Sequence, residues 1–315
     1  MIHAPNHLTK ITVAALAVTT LVVHTSSAQV SIAPILEYRF NETGNTSLST
    51  GTDLTPLTMR NGSGTPADLH TDIGGGLSGQ LEDRAYDGSF ATAMGRGDQI
   101  AGGNASHDAD NENIDALVSL TLTGWFKTGG SEAWQNGGQI WNNGGNNGQL
   151  INSESGGTYR LTTGKEGGVN GNVGQGGSDP RIGSTMTWAF FAVTFDGTIT
   201  TDNISFYAGS GDESIGAVSL INRVSFNFGE IFNDTSKLSI GNNADDGVRP
   251  FDGFLDNLRI FGSKSDASGV LTLSELEYIR TQDLANLGLV VIPEPSAGLL
   301  GLCGAGMLGM IRRRA

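Results

Sequence analysis

The stretch from Trp188 to Ala208 constrains the fold of this chain more than any other. Trp188-Ala189-Phe190-Phe191-Ala192-Val193-Thr194-Phe195 is dense in aromatic and β-branched residues, and it runs into Asp196-Gly197. Apolar strand residues ahead of Asp-Gly are a strong hairpin signal, because Gly accepts a positive φ. Ile204-Ser205-Phe206-Tyr207-Ala208 supplies the returning strand. Neither strand carries an acid.

Weaker strand signals surround this pair. Leu36, Tyr38 and Phe40 alternate with polar residues, the period of two expected of a strand. Leu117 to Phe126 alternates in the same way. Tyr159-Arg160-Leu161, Leu238 to Gly241 and Phe254 to Phe261 add three more, and Leu77 to Leu81 reads as another, leading to a turn at Tyr86-Asp87-Gly88-Ser89. One helix is expected. Thr272-Leu273-Ser274-Glu275 has the capping-box pattern, with Leu276, Ile279 and Leu273 as its apolar stripe. The chain has 47 glycines in 315 residues. Gly costs about 1 kcal/mol per helical position relative to Ala, so this abundance favours short strands joined by turns. The polar stretches 95–115, 128–148 and 164–177 read as loops.

The two ends are targeting segments rather than fold. Residues 1–28 have a signal peptide's layout: Lys10, an apolar run from Ile11 to Val23, and a small-residue cleavage site at Ser26-Ser27-Ala28. That run is short of the roughly 20 residues a spanning helix needs. At the other end, after a linker over 286–292, residues 293–315 place Pro293-Glu294-Pro295 ahead of an apolar run from Ala297 to Ile311, then Arg312, Arg313 and Arg314. The prolines hold the chain extended, and the arginines are expected on the cytoplasmic side of a short hydrophobic helix. Tripeptide, helix and arginine cluster in this order resemble the PEP-CTERM sorting signal of bacteria. The resemblance implies export by signal peptidase, transient inner-membrane anchoring, cleavage by an exosortase-type protease, and delivery to the cell surface or the extracellular space. A permanent tail anchor is the alternative.

Between these ends, residues 29–285 resemble the laminin-G-like jelly rolls of the concanavalin A-like lectin/glucanase superfamily. Tyr38-Arg39-Phe40-Asn41-Glu42, Tyr86-Asp87-Gly88-Ser89 and Leu122-Thr123-Gly124-Trp125-Phe126-Lys127 carry the likeness, with Trp188 to Gly197, Ile240-Gly241-Asn242-Asn243, Phe254 to Phe261 and Leu273 to Ile279. It implies an all-β, two-sheet jelly-roll sandwich with one short C-terminal helix, besides the hydrophobic helix of the tail. It also implies a structural Ca2+ between the first and last strands, with Asp256 as the carried-over ligand; the expected first-strand partner position holds Arg39.

Chemistry narrows the function. The whole chain has a net charge of −14, which repels nucleic acid. The one cysteine, Cys303, lies in the tail, so the exported domain has no disulfide. His70 and His107 are the histidines left after the leader. They lack metal-type spacing and read as surface residues. A glycosidase needs two carboxylates some 5–10 Å apart. No strand here carries the Glu-x-Asp-x-x-Glu arrangement that would supply them on such a sheet, which argues against an enzyme. Asp108, Asp110, Glu112 and Asp115 cluster hard oxygens, as a solvated acidic loop or a calcium-binding one. Trp134 and Trp141 stand among amides that include Asn142 and Asn143, in a stretch read as loop. Two readings stay open: an aromatic platform for a sugar, or tryptophans covering the sandwich edge. The expected function is non-enzymatic binding of glycan or exopolysaccharide matrix. A structural surface protein without a discrete ligand, and then a carbohydrate-active enzyme, are the alternatives.

Overall fold

The computed structural model describes residues 29–89, 103–128, 138–144, 149–154, 158–163, 172–176, 179–183, 187–211, 216–231, 237–243 and 249–285. The leader, Trp134, the linker and the PEP-CTERM-like tail lie outside these residues.

The strands, in chain order, are β1 (Leu36–Tyr38), β2 (Thr46–Ser47), β3 (Leu57–Arg60), β4 (Tyr86–Asp87), β5 (Asn104–Asp110), β6 (Ser119–Thr128), β7 (Gln139–Asn143) and β8 (Gln149–Glu154). They continue with β9 (Thr158–Thr163), β10 (Asn172–Gln175), β11 (Ala189–Asp196), β12 (Ile204–Ser210), β13 (Ser219–Val224), β14 (Lys237–Ile240) and β15 (Gly253–Ser263). A single helical turn, α1 (Pro180–Gly183), precedes β11, and α2 (Leu273–Ala285) follows the last strand.

The strands form two antiparallel sheets. The first runs β1-β15-β6-β11-β12-β13, with β4 also paired to β15; the second runs β10-β9-β8-β7-β14-β5-β3-β2. The first strand pairs with the last, Leu36 opposite Ile260. This is the expected all-β, concanavalin-like two-sheet sandwich with one C-terminal helix.

Alternation builds two cores. Phe191, Val193 and Phe195 of β11 face the second sheet and join the main core, where Tyr159 reaches across to accept a hydrogen bond from the Tyr207 N–H at 3.0 Å. Phe190 and Ala192 face outward with Trp125 of β6 and pack under α2 on Leu276, Ile279 and Leu284. The capping box is present: Thr272 N–H donates to Glu275 at 2.8 Å, and Glu275 N–H donates to the Thr272 hydroxyl at 3.3 Å. Of the expected stripe, Leu276 and Ile279 are buried but Leu273 is exposed.

Two glycines are explained by close approach. A Cβ on Gly124 would stand 2.2 Å from Leu258 Cδ2, and one on Gly197 would stand 2.0 Å from the Gly229 carbonyl oxygen. Gly197 therefore does not serve a tight two-residue turn. The hairpin loop is longer, with β12 resuming at Ile204 opposite Phe195.

The polar stretches differ most from expectation. Parts of all three presumed loops are strands: β5 within 95–115, β7 within 128–148 and β10 within 164–177. Each adds to the second sheet, where one face is polar, so an apolar alternation is faint or absent. Leu77 to Leu81, expected as a strand, is turn instead. The histidine reading also changes, since the His70 ring is fully covered and lies 2.8 Å from Asp68.

Candidate functional site

Strand alternation separates the residues that the sequence places side by side. On β7, Trp141 points into the main core, in register with Ile151 of β8 and Ile240 of β14, and is 1% exposed. Asn142 points away from the core. Asn143 points inward at the strand's end, where its Nδ2 donates to Asp115 at 2.9 Å. The exposed platform of Trp141 flanked by Asn142 and Asn143 is thus corrected: Trp141 is the core-covering tryptophan. A register shift between Gln139 and Trp141 turns both Ile140 and Trp141 toward the core and hides the alternation.

The outward face of the second sheet is the candidate site. Ser106 of β5, Ser239 of β14, Asn142 of β7, Asn152 of β8 and Thr162 of β9 all turn away from the core, and all are buried in the folded chain. Asn142 Nδ2 donates to Gln139 Oε1 at 3.0 Å. Arg160 and Glu154 close the face with an ion pair at 2.9 Å. Asn152 is different. It is completely buried, and among the described residues neither atom of its side-chain amide has a hydrogen-bond partner; the Thr162 hydroxyl is likewise unpartnered there. Leaving a buried donor or acceptor unpaired costs about 1–3 kcal/mol. The face thus keeps an open donor and open acceptors, each covered in the folded chain. Sequence reasoning missed it because β8 carries no recognisable period.

Asp256, the carried-over calcium ligand, lies elsewhere, on the outer face of the first sheet and fully buried. Burial first, and then the nearby Asp83 carboxylate, push it well above the usual carboxylate range. Its Oδ2 accepts a backbone N–H, while Oδ1 is buried with no hydrogen-bond partner among the described residues. Leu77 N–H donates to Asp256 at 2.8 Å, Asn257 N–H also points at it, and Ser78 N–H is on Asp83. Calcium takes six to eight oxygen ligands, and converging N–H groups oppose a cation. These residues do not fit the metal. On the first strand, Glu37 is turned to Arg259 at 2.8 Å.

A cleft between β1 and α2 is lined by Val30, Ile32, Phe261 and Ile279, with Arg259, Glu37 and Asp283 among its polar residues. Arg259 joins both acids, so the polar part of this cleft is internally paired.

No protein-family model matches the chain, and no curated protein matches it in sequence. Among solved structures it is similar to the botulinum neurotoxin serotype G binding domain, with 14% identity and a TM-score of 0.47 over 79% of this chain and 51% of that one. It is similar also to the CBM40 of Ruminococcus gnavus IT-sialidase bound to α2,3-sialyllactose (14% identity, TM-score 0.39, 56% of this chain and 92% of that one). A third is the heptameric SAP-like pentraxin of Limulus polyphemus (15% identity, TM-score 0.36, 53% and 71%). The chain spans about half of the neurotoxin domain. Likeness at this level carries no argument about ligand.

Proposed function

We propose that this is an exported, surface-associated, non-enzymatic protein that binds a glycan of the extracellular matrix on the outward face of its second sheet. The observation that supports this reading is Asn152, a buried amide with open donor and acceptor among Asn142, Gln139, Thr162 and Ser239. Paired amides and hydroxyls suit sugar hydroxyl groups, each of which donates and accepts. Among the described residues of this face, the acid Glu154 is held in an ion pair by Arg160, which fits binding better than acid–base chemistry there. Laminin-G-like ancestry and PEP-CTERM sorting belong to the same proposal and rest on the sequence motifs.

Affinity electrophoresis through soluble polysaccharides tests the binding. The wild type is retarded, and Asn152→Leu migrates freely while keeping or gaining stability, because leucine removes the unpartnered amide. A second reading, a structural matrix protein without a discrete ligand, is favoured by the coverage of this face: Asn152 is 0% exposed. Free migration of the wild type through every polysaccharide decides for that reading.

A further inference from the structure

At one end of the sandwich, the close of β5 meets the facing ends of β7 and β8. Asp110 ends β5, and Asn111 caps a short 3-10 turn over Glu112–Ile114 that delivers Asp115. Asn143 ends β7 and Gln149 opens β8 directly opposite it. Asn143 Nδ2 donates to Asp115 Oδ1 at 2.9 Å, and Gln149 Nε2 donates to the Ile114 carbonyl, which fixes both amides beside the acid.

Four oxygens are left over. Asp110 Oδ1, Asp115 Oδ2, Asn143 Oδ1 and Gln149 Oε1 are buried and have no hydrogen-bond partner among the described residues. Gln149 is 0% exposed and Asp115 1%. The two carboxyl groups lie within hydrogen-bond reach of one another. Among the described residues no three His, Cys, Asp or Glu side chains converge, so the set is two carboxylates and two carboxamides, with Gln149 the one opening β8. Two lysines stand nearby. Lys264 donates to the Glu112 carbonyl at 2.7 Å, and Lys237 lies across the ladder from Asp110. Neither carboxylate takes part in an ion pair among the described residues.

We propose that Asp110, Asp115 and Gln149 form a binding site for a hard divalent cation such as calcium, at the opposite sheet from the Asp256 position that family resemblance suggests. Like charges at this separation are unfavourable unless a proton or a cation lies between them. Oxygen-only donors, two of them anionic, match calcium rather than zinc or copper. A bound ion would pin the end of β5 to the start of β8.

The test is thermal unfolding of the purified full-length protein in calcium chloride and in EDTA, with Asp115→Asn and Asp256→Asn beside the wild type. Binding to the native state alone raises stability with ligand concentration. The wild type and Asp256→Asn melt higher in calcium. Asp115→Asn melts at or above the wild type in EDTA, because the like-charge contact is gone, and no longer responds to calcium. That combination separates a lost site from a lost fold. A wild type unmoved by millimolar calcium, or an Asp115→Asn protein that keeps the full response, overturns the proposal.

Discussion

Arg259 and Asp283 meet through two hydrogen bonds, 2.8 Å from Nη1 and 2.6 Å from Nη2, which tie the last strand of the sandwich to the helix that covers it. The same guanidinium reaches Glu37 on the first strand at 2.8 Å, and Asp283 also accepts the Trp125 indole N–H at 2.9 Å. First strand, last strand and helix thus share one buried charge network.

Removing one partner of such a pair leaves a buried charge unmatched. Asp283→Ala should cost about 3–5 kcal/mol. A denaturant melt measures it. A loss below about 1 kcal/mol, the value of an exposed pair, would show that water reaches this network.

Trp141 predicts a second loss. Its indole sits in the main core, so Trp141→Ala should cost about 3–5 kcal/mol, as large aromatic truncations do. A change within about 0.5 kcal/mol, typical of surface sites, would return Trp141 to the surface.

His70 predicts a pH dependence. Burial lowers its pKa, but the Glu42 and Asp68 carboxylates, 3.8 and 2.8 Å from the ring nitrogens, outweigh burial and hold it above the ordinary 6.5. The same contacts hold Glu42 and Asp68 below the usual carboxylate range, although burial alone would raise both. A raised histidine contributes stability that is fully present below its unfolded value and is lost as pH rises through the folded one. The wild type should therefore lose stability above pH 6.5 relative to His70→Gln. Parallel wild-type and variant curves from pH 6 to about 8.5 would contradict the assignment.

Much of the first sheet was legible from the residues. β1, β6, β11, β12 and β15 bury apolar side chains at every second position, and that pattern is local. The second sheet was not. Its members β5, β7, β8 and β10 put Ser, Asn and Gln on strands, and the one tryptophan of β7 follows a register shift that spoils the count. Of the candidate site, Asn142 was singled out in advance, while Asn152 carried no signal.

The sequence by itself determined what depends on near neighbours: the apolar hairpin strands, the capping box at Thr272 and Glu275, and the acidity of the chain. Only the tertiary structure decided which way Trp141 faces, that Asp256 is buried beside the Leu77 N–H and the Asp83 carboxylate, and that Asp110 and Asp115 meet Gln149. Those facts depend on which strands pair and in what register. Partners far apart along the chain set that register, so no local window of residues contains it.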